Sequence, residues 1–270
     1  MKNILLLPIA LMFSCATGQG MKAQIFSKEY DVYEDREYHG LHIGAYYVHN
    51  NVWGKDGIVR YQQGVFSSEM NGGEVFGWRW HWPLTDGYTV RGYPETIIGT
   101  NPWLREKSDY FPCKTTDKKI RIDYDVSIIS KGEHNFAFDI WLIKSSLSDT
   151  KNITHEIMIW MGNYGMTPGG TKKDSVFIDG VEYGVYVWEN VSLGLPEGQR
   201  TYVAFVADGR YLSGSLNVHK FMEYLVEHGR SIQVVNFVTR ELYIASIELG
   251  TEIVDGTGEI RFDKFDIIIE

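Results

Sequence analysis

Cysteine is almost missing from this chain. Its 270 residues include two, Cys15 and Cys113, so no disulfide framework staples it, and a domain of this size needs none. Metal-ligand spacings are missing as well. There is no His-x-x-x-His and no Cys-x-x-Cys, and the eight histidines are scattered, which excludes the common zinc signatures. Lysine and arginine form no basic stripe, and 26 of them against 35 acids give a formal charge of −9. A nucleic acid is therefore a poor partner, because binding its phosphates depends on clustered cations. The longest apolar run near the start, Ile4 to Phe13, is too short to cross a bilayer. After residue 20 there is no low-complexity linker, Pro-rich hinge or internal repeat.

The run Ile4–Phe13 instead suits the h-region of a signal peptide, with Lys2 as its positive n-region. Leu11-Met-Phe-Ser-Cys15 resembles a lipobox, in which the cysteine becomes the acylated N-terminus. On that reading residues 1–14 are a lipoprotein signal, 15–40 a tether or lead-in, and 41–270 the domain. Ordinary cleavage between Ala16 and Gly20 is the alternative. Either way the chain is expected to be exported, and only the lipid on Cys15 would hold it at a membrane.

What is abundant is aromatic: 14% of residues, with 8 Trp and 17 Tyr. With 44% apolar residues the chain can bury a core. Short alternating stretches separated by Gly, Asn, Asp or Pro predict strands over 45–52, 75–82, 120–129, 135–144, 155–162, 175–180, 183–189, 200–207, 231–236, 241–249 and 259–269. Asp179-Gly180 and Asp255-Gly256 read as hairpin turns. The expected class is all-β, a sandwich or jelly roll of antiparallel sheets. One helix interrupts it: Val218, Phe221, Met222, Leu225 and Val226 recur at helical spacing, with Ser215 as N-cap and Gly229 as terminator. Such a helix is expected on the outer face of one sheet.

Isolated acids in apolar strands are the candidates for chemistry. In His155-Glu-Ile-Met-Ile-Trp-Met161, alternation places Glu156, Met158 and Trp160 on one face and Ile157, Ile159 and Met161 on the other. A partly desolvated glutamate against an aromatic wall is what glycoside cleavage uses as a nucleophile; a solvent-facing edge glutamate is the alternative. Glu252 follows Gly250, which suggests a bulge or a close backbone approach. Asp139, in Phe136-Ala-Phe-Asp-Ile140, could share a proton with a neighbouring carboxylate.

These segments resemble glycoside hydrolase family 12. Residues 155–170 are similar to the family's nucleophile strand and the loop after it, and 249–262 to its acid/base strand and final hairpin. Phe136–Ile140 resembles the strand whose aspartate supports the nucleophile. Asn50-Asn51-Val-Trp53-Gly54 resembles the Asn-Asn-x-Trp-Gly strand, and 92–103 a segment of bacterial members. The resemblance implies a jelly-roll sandwich with a concave cleft. It further implies retaining cleavage of β-1,4-glucans such as cellulose-like glucan, mixed-linkage glucan or xyloglucan. Glu156 would be the nucleophile, Glu252 the acid/base and Asp139 the support, without a cofactor, in a chain expected to be a monomer. Retention asks for carboxyl groups about 5–5.5 Å apart. Asn51, Trp53, Met158, Trp160, Pro168, Trp80 and Trp103 are the implied or candidate sugar contacts. The Thr167-Pro-Gly-Gly170 loop and residues 21–40 depart from the family's pattern.

Trp78, Trp80 and Trp82 share one face of a strand and serve either as a sugar platform or as core; Trp188 is unassigned. Glu29-Tyr-Asp31-Val-Tyr-Glu34 fits the catalytic pattern of laminarinase-like sandwiches, yet sits outside the expected domain. A family 11-like xylanase and a surface glycan-binding protein that does not cut remain alternatives. A structural or adhesion role has no specific feature in its favour.

Overall fold

Two β-sheets face each other, and strand alternation supplies the layer between them. The computed structural model describes residues 30–270 except 71, 106–107, 193–198, 233 and 235. The signal segment, Cys15 and Glu29 lie outside the described residues.

In chain order the strands are β1 (Val32–Glu34), β2 (Gly40–Ile43), β3 (Tyr46–His49), β4 (Gln62–Met70), β5 (Gly73–Trp82) and β6 (Glu95–Gly99). Then come β7 (Cys113–Lys114), β8 (Ile120–Lys131), β9 (His134–Ile143), β10 (Ile153–Tyr164), β11 (Thr171–Ile178) and β12 (Val181–Ser192). The chain closes with β13 (Gln199–Ala207), β14 (Ser213–Asn217), α1 (Val218–His228), β15 (Tyr243–Gly250) and β16 (Gly256–Ile269). The smaller sheet runs β1-β4-β5-β16-β8-β14 and the larger β11-β12-β13-β10-β9-β15-β6-β3-β2, with β7 paired to β15. All strand pairs are antiparallel except β10 with β13.

Burial follows sheet position. In β8, Ile120, Ile122, Tyr124 and Val126 point into the core while Arg121, Asp125 and Ser127 face solvent, the pattern of a sheet covered on one side. In β9 every residue is buried, because one face meets the core and the other forms the floor of a cleft. Trp78, Trp80 and Trp82 all belong to the core between the sheets.

Several sequence expectations need correction. The helix forms over the predicted residues, but Asn217 occupies the N-cap position, without a side-chain capping bond, and Ser215 lies in β14. Its Phe221 packs on Phe205 at 5.0 Å and on Tyr183 at 5.2 Å, and Phe205 is the register partner of Ile159. The helix therefore covers the core-facing side of the larger sheet, beyond the smaller sheet's last strand, and not an outer face. Asp179-Gly180 is a hairpin turn, with φ of 51° and 82° joining β11 to β12. Asp255-Gly256 is not: it carries the chain from β15 in one sheet to β16 in the other. Residues 231–236 form no described strand; Ile232 and Val234 are buried in a turn that follows the helix. Residues 30–40, expected as lead-in, already belong to the sandwich, since β1 pairs with β4 and Tyr30 stacks on Phe66 at 3.6 Å.

Candidate active site

The exposed side of the larger sheet carries a cleft of about 710 Å³, within the range of ligand sites. Its floor follows from register. Glu156 lies opposite Trp141 and Tyr202, Met158 opposite Asp139 and Ala204, and Asp139 opposite Glu248. The alternate residues Ile157 and Ile159 are fully buried in the core, so alternation alone turns Glu156, Met158 and Trp160 into the cleft.

Glu156 is 9% exposed and is paired by Arg200, whose Nε donates to Oε2 at 2.6 Å and whose Nη2 bonds the same oxygen. Burial raises its pKa and the Arg200 charge opposes that rise. Asp139 is held far above the usual carboxylate range, first by burial and then by the charge of Glu156. It is the group that keeps a proton beside the Glu156 carboxylate.

Glu252 follows β15, where Gly250 passes so close to Tyr93 and the Pro94 carbonyl that a Cβ would meet them at 2.6 and 2.8 Å. Only glycine fits that approach. Asn135 then clamps Glu252: Nδ2 donates to its Oε2 at 2.5 Å, and Oδ1 accepts from its backbone N–H at 2.8 Å. Burial, then the charge of Glu156, pushes Glu252 up to about 7. Both glutamates are thus raised above their ordinary value, and they differ in their partners: a guanidinium opposes the rise at Glu156, whereas an amide and the charge of Glu156 surround Glu252.

Two acids without an assigned role join them. Glu248 accepts from Asn101 Nδ2 at 2.7 Å, Ser246 Oγ at 2.8 Å and Trp141 Nε1 at 3.1 Å. Glu95 accepts from Asn51 Nδ2 and shares a hydrogen bond with His49 Nδ1, each at 3.1 Å. Burial raises Glu95 to about 7 and drives Glu248 well above its ordinary range, helped by the charge of Glu95; the pair shares a proton with Glu248 as its holder. Burial lowers His49 to about 4, so its imidazole is neutral. Despite these acids, no group of three or more His, Cys, Asp or Glu among the described residues is arranged to hold a metal ion. Glu248 carried the same signal as Asp139, a lone acid in an apolar strand. Arg200, at the head of Arg200–Val206, was legible as a lone cation before an apolar run.

Of the candidate sugar contacts, Asn51, Trp53, Met158, Trp160 and Trp103 line the cleft, as does Trp188. Trp53, Trp103 and Trp188 expose 45%, 42% and 51% of their surface, whereas Met158 and Trp160 form the floor. Backbone bonds from Trp53 and Gly54 to the Arg91 carbonyl, at 3.1 and 2.8 Å, fix the Trp53 rim. One candidate is corrected. Trp80 is fully buried between the sheets and cannot reach a sugar. Pro168 is half-buried between Thr167 and Gly169, both of which line the cleft. Asp31 and Glu34 sit at the edge of the smaller sheet, bonded to Ser68 and Arg36, and take no part in the cleft.

The sequence profile of glycosyl hydrolase family 12 matches residues 44–270. The chain belongs to glycosyl hydrolase family 12. It is therefore a glycoside hydrolase, and the family 11-like alternative falls away. Among family 12 relatives, Endoglucanase S of Pectobacterium parmentieri is 32% identical over 230 residues, covering 83% of this chain and 82% of the relative. Xyloglucan-specific endo-beta-1,4-glucanase A of Aspergillus aculeatus is 26% identical over 234 residues, covering 84% and 87%. The solved family 12 xyloglucanase from Bacillus licheniformis superposes with a TM-score of 0.78 at 27% identity, covering 88% of this chain and 100% of that one. The jelly-roll sandwich is thus shared with these family 12 structures.

Proposed function

We propose that this hydrolase is an endo-acting, retaining β-1,4-glucanase in which Glu156 is the nucleophile, Glu252 the acid/base and Asp139 the group that supports Glu156. The observation that carries the roles is the difference between the two glutamates' partners. Glu156 is braced by Arg200, while Glu252 is raised to about 7 and holds a proton over much of the neutral range. Glu156 attacks the anomeric carbon as Glu252 protonates the leaving oxygen; Glu252 then deprotonates the water that releases the sugar. Exposed Trp53, Trp103 and Trp188 supply flat apolar faces for glucose rings on either side. The names of the relatives, an endoglucanase and xyloglucan-specific glucanases, support a β-1,4-glucan backbone with or without side chains.

The test is release of reducing ends from soluble β-1,4-glucan, mixed-linkage glucan, xyloglucan and xylan. Wild type is expected to cut at least one glucan, and Glu156→Gln to lose nearly all of that activity. Binding to glucan without any cleavage by wild type would favour the non-cutting reading.

The same proposal includes export and acylation at Cys15, supported by Lys2, the apolar run Ile4–Phe13 and Leu11–Cys15. Incorporation of labelled fatty acid by wild type and not by Cys15→Ser tests it. No step above requires a second copy of the chain.

A further inference from the structure

The cleft is crowded with acids, and that makes a carboxylate nucleophile hard to sustain. Glu156 is faced from β9 by Asp139, from β15 by Glu248, and from the segment after β15 by Glu252; Glu95 on β6 lies behind Glu248, and Tyr202 adjoins from β13. Burial and the charge of Glu248 both favour a protonated Glu156. Against them stands one cation. Arg200 is the single lysine or arginine among the described residues that line the cleft, and it is 5% exposed.

Its geometry is specific. Nε and Nη2 both donate to Oε2 of Glu156, so the pair leaves Oε1 unengaged. The guanidinium carbon lies 5.5 Å from the Trp141 ring centroid, and Nη1 has no protein partner. A buried arginine with two bonds to one carboxylate oxygen fixes both the charge and the rotation of that carboxylate.

We propose that Arg200 is the positioning residue of the glycosyl transfer: it keeps Glu156 a carboxylate amid the surrounding acids and turns Oε1 toward the anomeric carbon. This rests on the assignment of Glu156 as nucleophile. In the first step an electron pair on Oε1 forms the bond to the anomeric carbon. The glycosidic C–O bond breaks, and the proton of Glu252 passes to the leaving oxygen. Oε2 becomes the carbonyl oxygen of the resulting ester and continues to accept from Arg200. In the second step water adds to the anomeric carbon, its proton passes to Glu252, and the ester electron pair returns to Oε1. One cation thus serves Glu156 as it attacks and as it departs.

Two measurements test this. A fluorinated, slow-turnover cellobioside with a good leaving group, followed by peptide mass mapping of wild type, identifies the nucleophile independently of Arg200. The pH dependence of kcat/KM is then compared for wild type, Arg200→Met and Arg200→Lys, each checked for folding by its thermal transition. Arg200→Met is expected to move the acidic limb up by about 1–2 pH units, with more than tenfold loss at pH ~5 and partial recovery near neutrality. Arg200→Lys is expected to restore the limb but to keep kcat at least roughly tenfold low, because a lysine lacks the fork. A label on Glu156 together with an unmoved limb in Arg200→Met, or with full kcat in Arg200→Lys, overturns the inference alone. A label on another residue overturns the nucleophile assignment and this inference with it.

Discussion

Asn135 grips Glu252 from both sides, donating to its carboxylate at 2.5 Å and accepting from its backbone N–H at 2.8 Å. A third bond, from the Asn135 N–H to the Glu252 carbonyl at 3.1 Å, ties the start of β9 to the end of β15. The carboxyl group that must protonate a leaving oxygen is therefore located by one fully buried amide side chain.

Asn135→Ala is expected to lower kcat by roughly tenfold or more, because the proton donor loses its orientation. Stability should fall by about 1–3 kcal/mol from the buried groups left unpaired. Steady-state kinetics and urea unfolding measure the two effects.

Stability should depend on pH in a defined direction. Glu95 and Glu252 are each raised to about 7 from an ordinary 4.5, so the folded chain holds protons that the unfolded chain has released between those values. Stability is then greatest below the lower value and falls as pH rises through 7, by up to about 3 kcal/mol per group. Glu252→Gln, inactive on the account above, should be more stable than wild type at pH ~8 and no more stable at pH ~4. Thermal unfolding across that range measures it.

The tryptophans should separate into two classes. Trp53→Ala removes a half-exposed face of the cleft rim and should weaken binding of long glucans by roughly tenfold with stability unchanged. Trp80→Ala removes a fully buried indole between the sheets and should cost about 3–5 kcal/mol of stability. Isothermal titration with an oligosaccharide and chemical unfolding distinguish them.

Gly250→Ala should destabilise by about 1–3 kcal/mol, because its Cβ would meet the Tyr93 ring at 2.6 Å and the Pro94 carbonyl at 2.8 Å. The strain falls two residues before Glu252, so kcat should drop as well. Paired measurement of kcat and Tm tests this.

The strands that build the floor were legible because their alternation is strong: Ile157 and Ile159 to the core, Glu156, Met158 and Trp160 to the cleft. Period two could not say which face of β5 looked inward, and so Trp80 was open to either role. β4 escaped notice because Gln62-Gln-Gly-Val-Phe-Ser-Ser-Glu-Met70 has little alternation. Its place between β1 and β5 is set by pairing. Ile232 and Val234 looked like a strand because they are apolar and buried, yet they sit in a turn. Within the site, the isolated acids Glu156, Asp139 and Glu252 stood out one by one. Their pairing did not: that Arg200 meets Glu156, Asn135 meets Glu252 and Glu248 lies opposite Asp139 shows only when β13, β9 and β15 are set side by side.

The central claim is double displacement by Glu156 and Glu252 on a β-1,4-glucan. Proton NMR of the first-formed reducing end, followed before mutarotation during cleavage of a soluble glucan, tests it most directly. The account predicts that the β-anomer appears first and only later equilibrates with the α-anomer. Initial appearance of the α-anomer would contradict it.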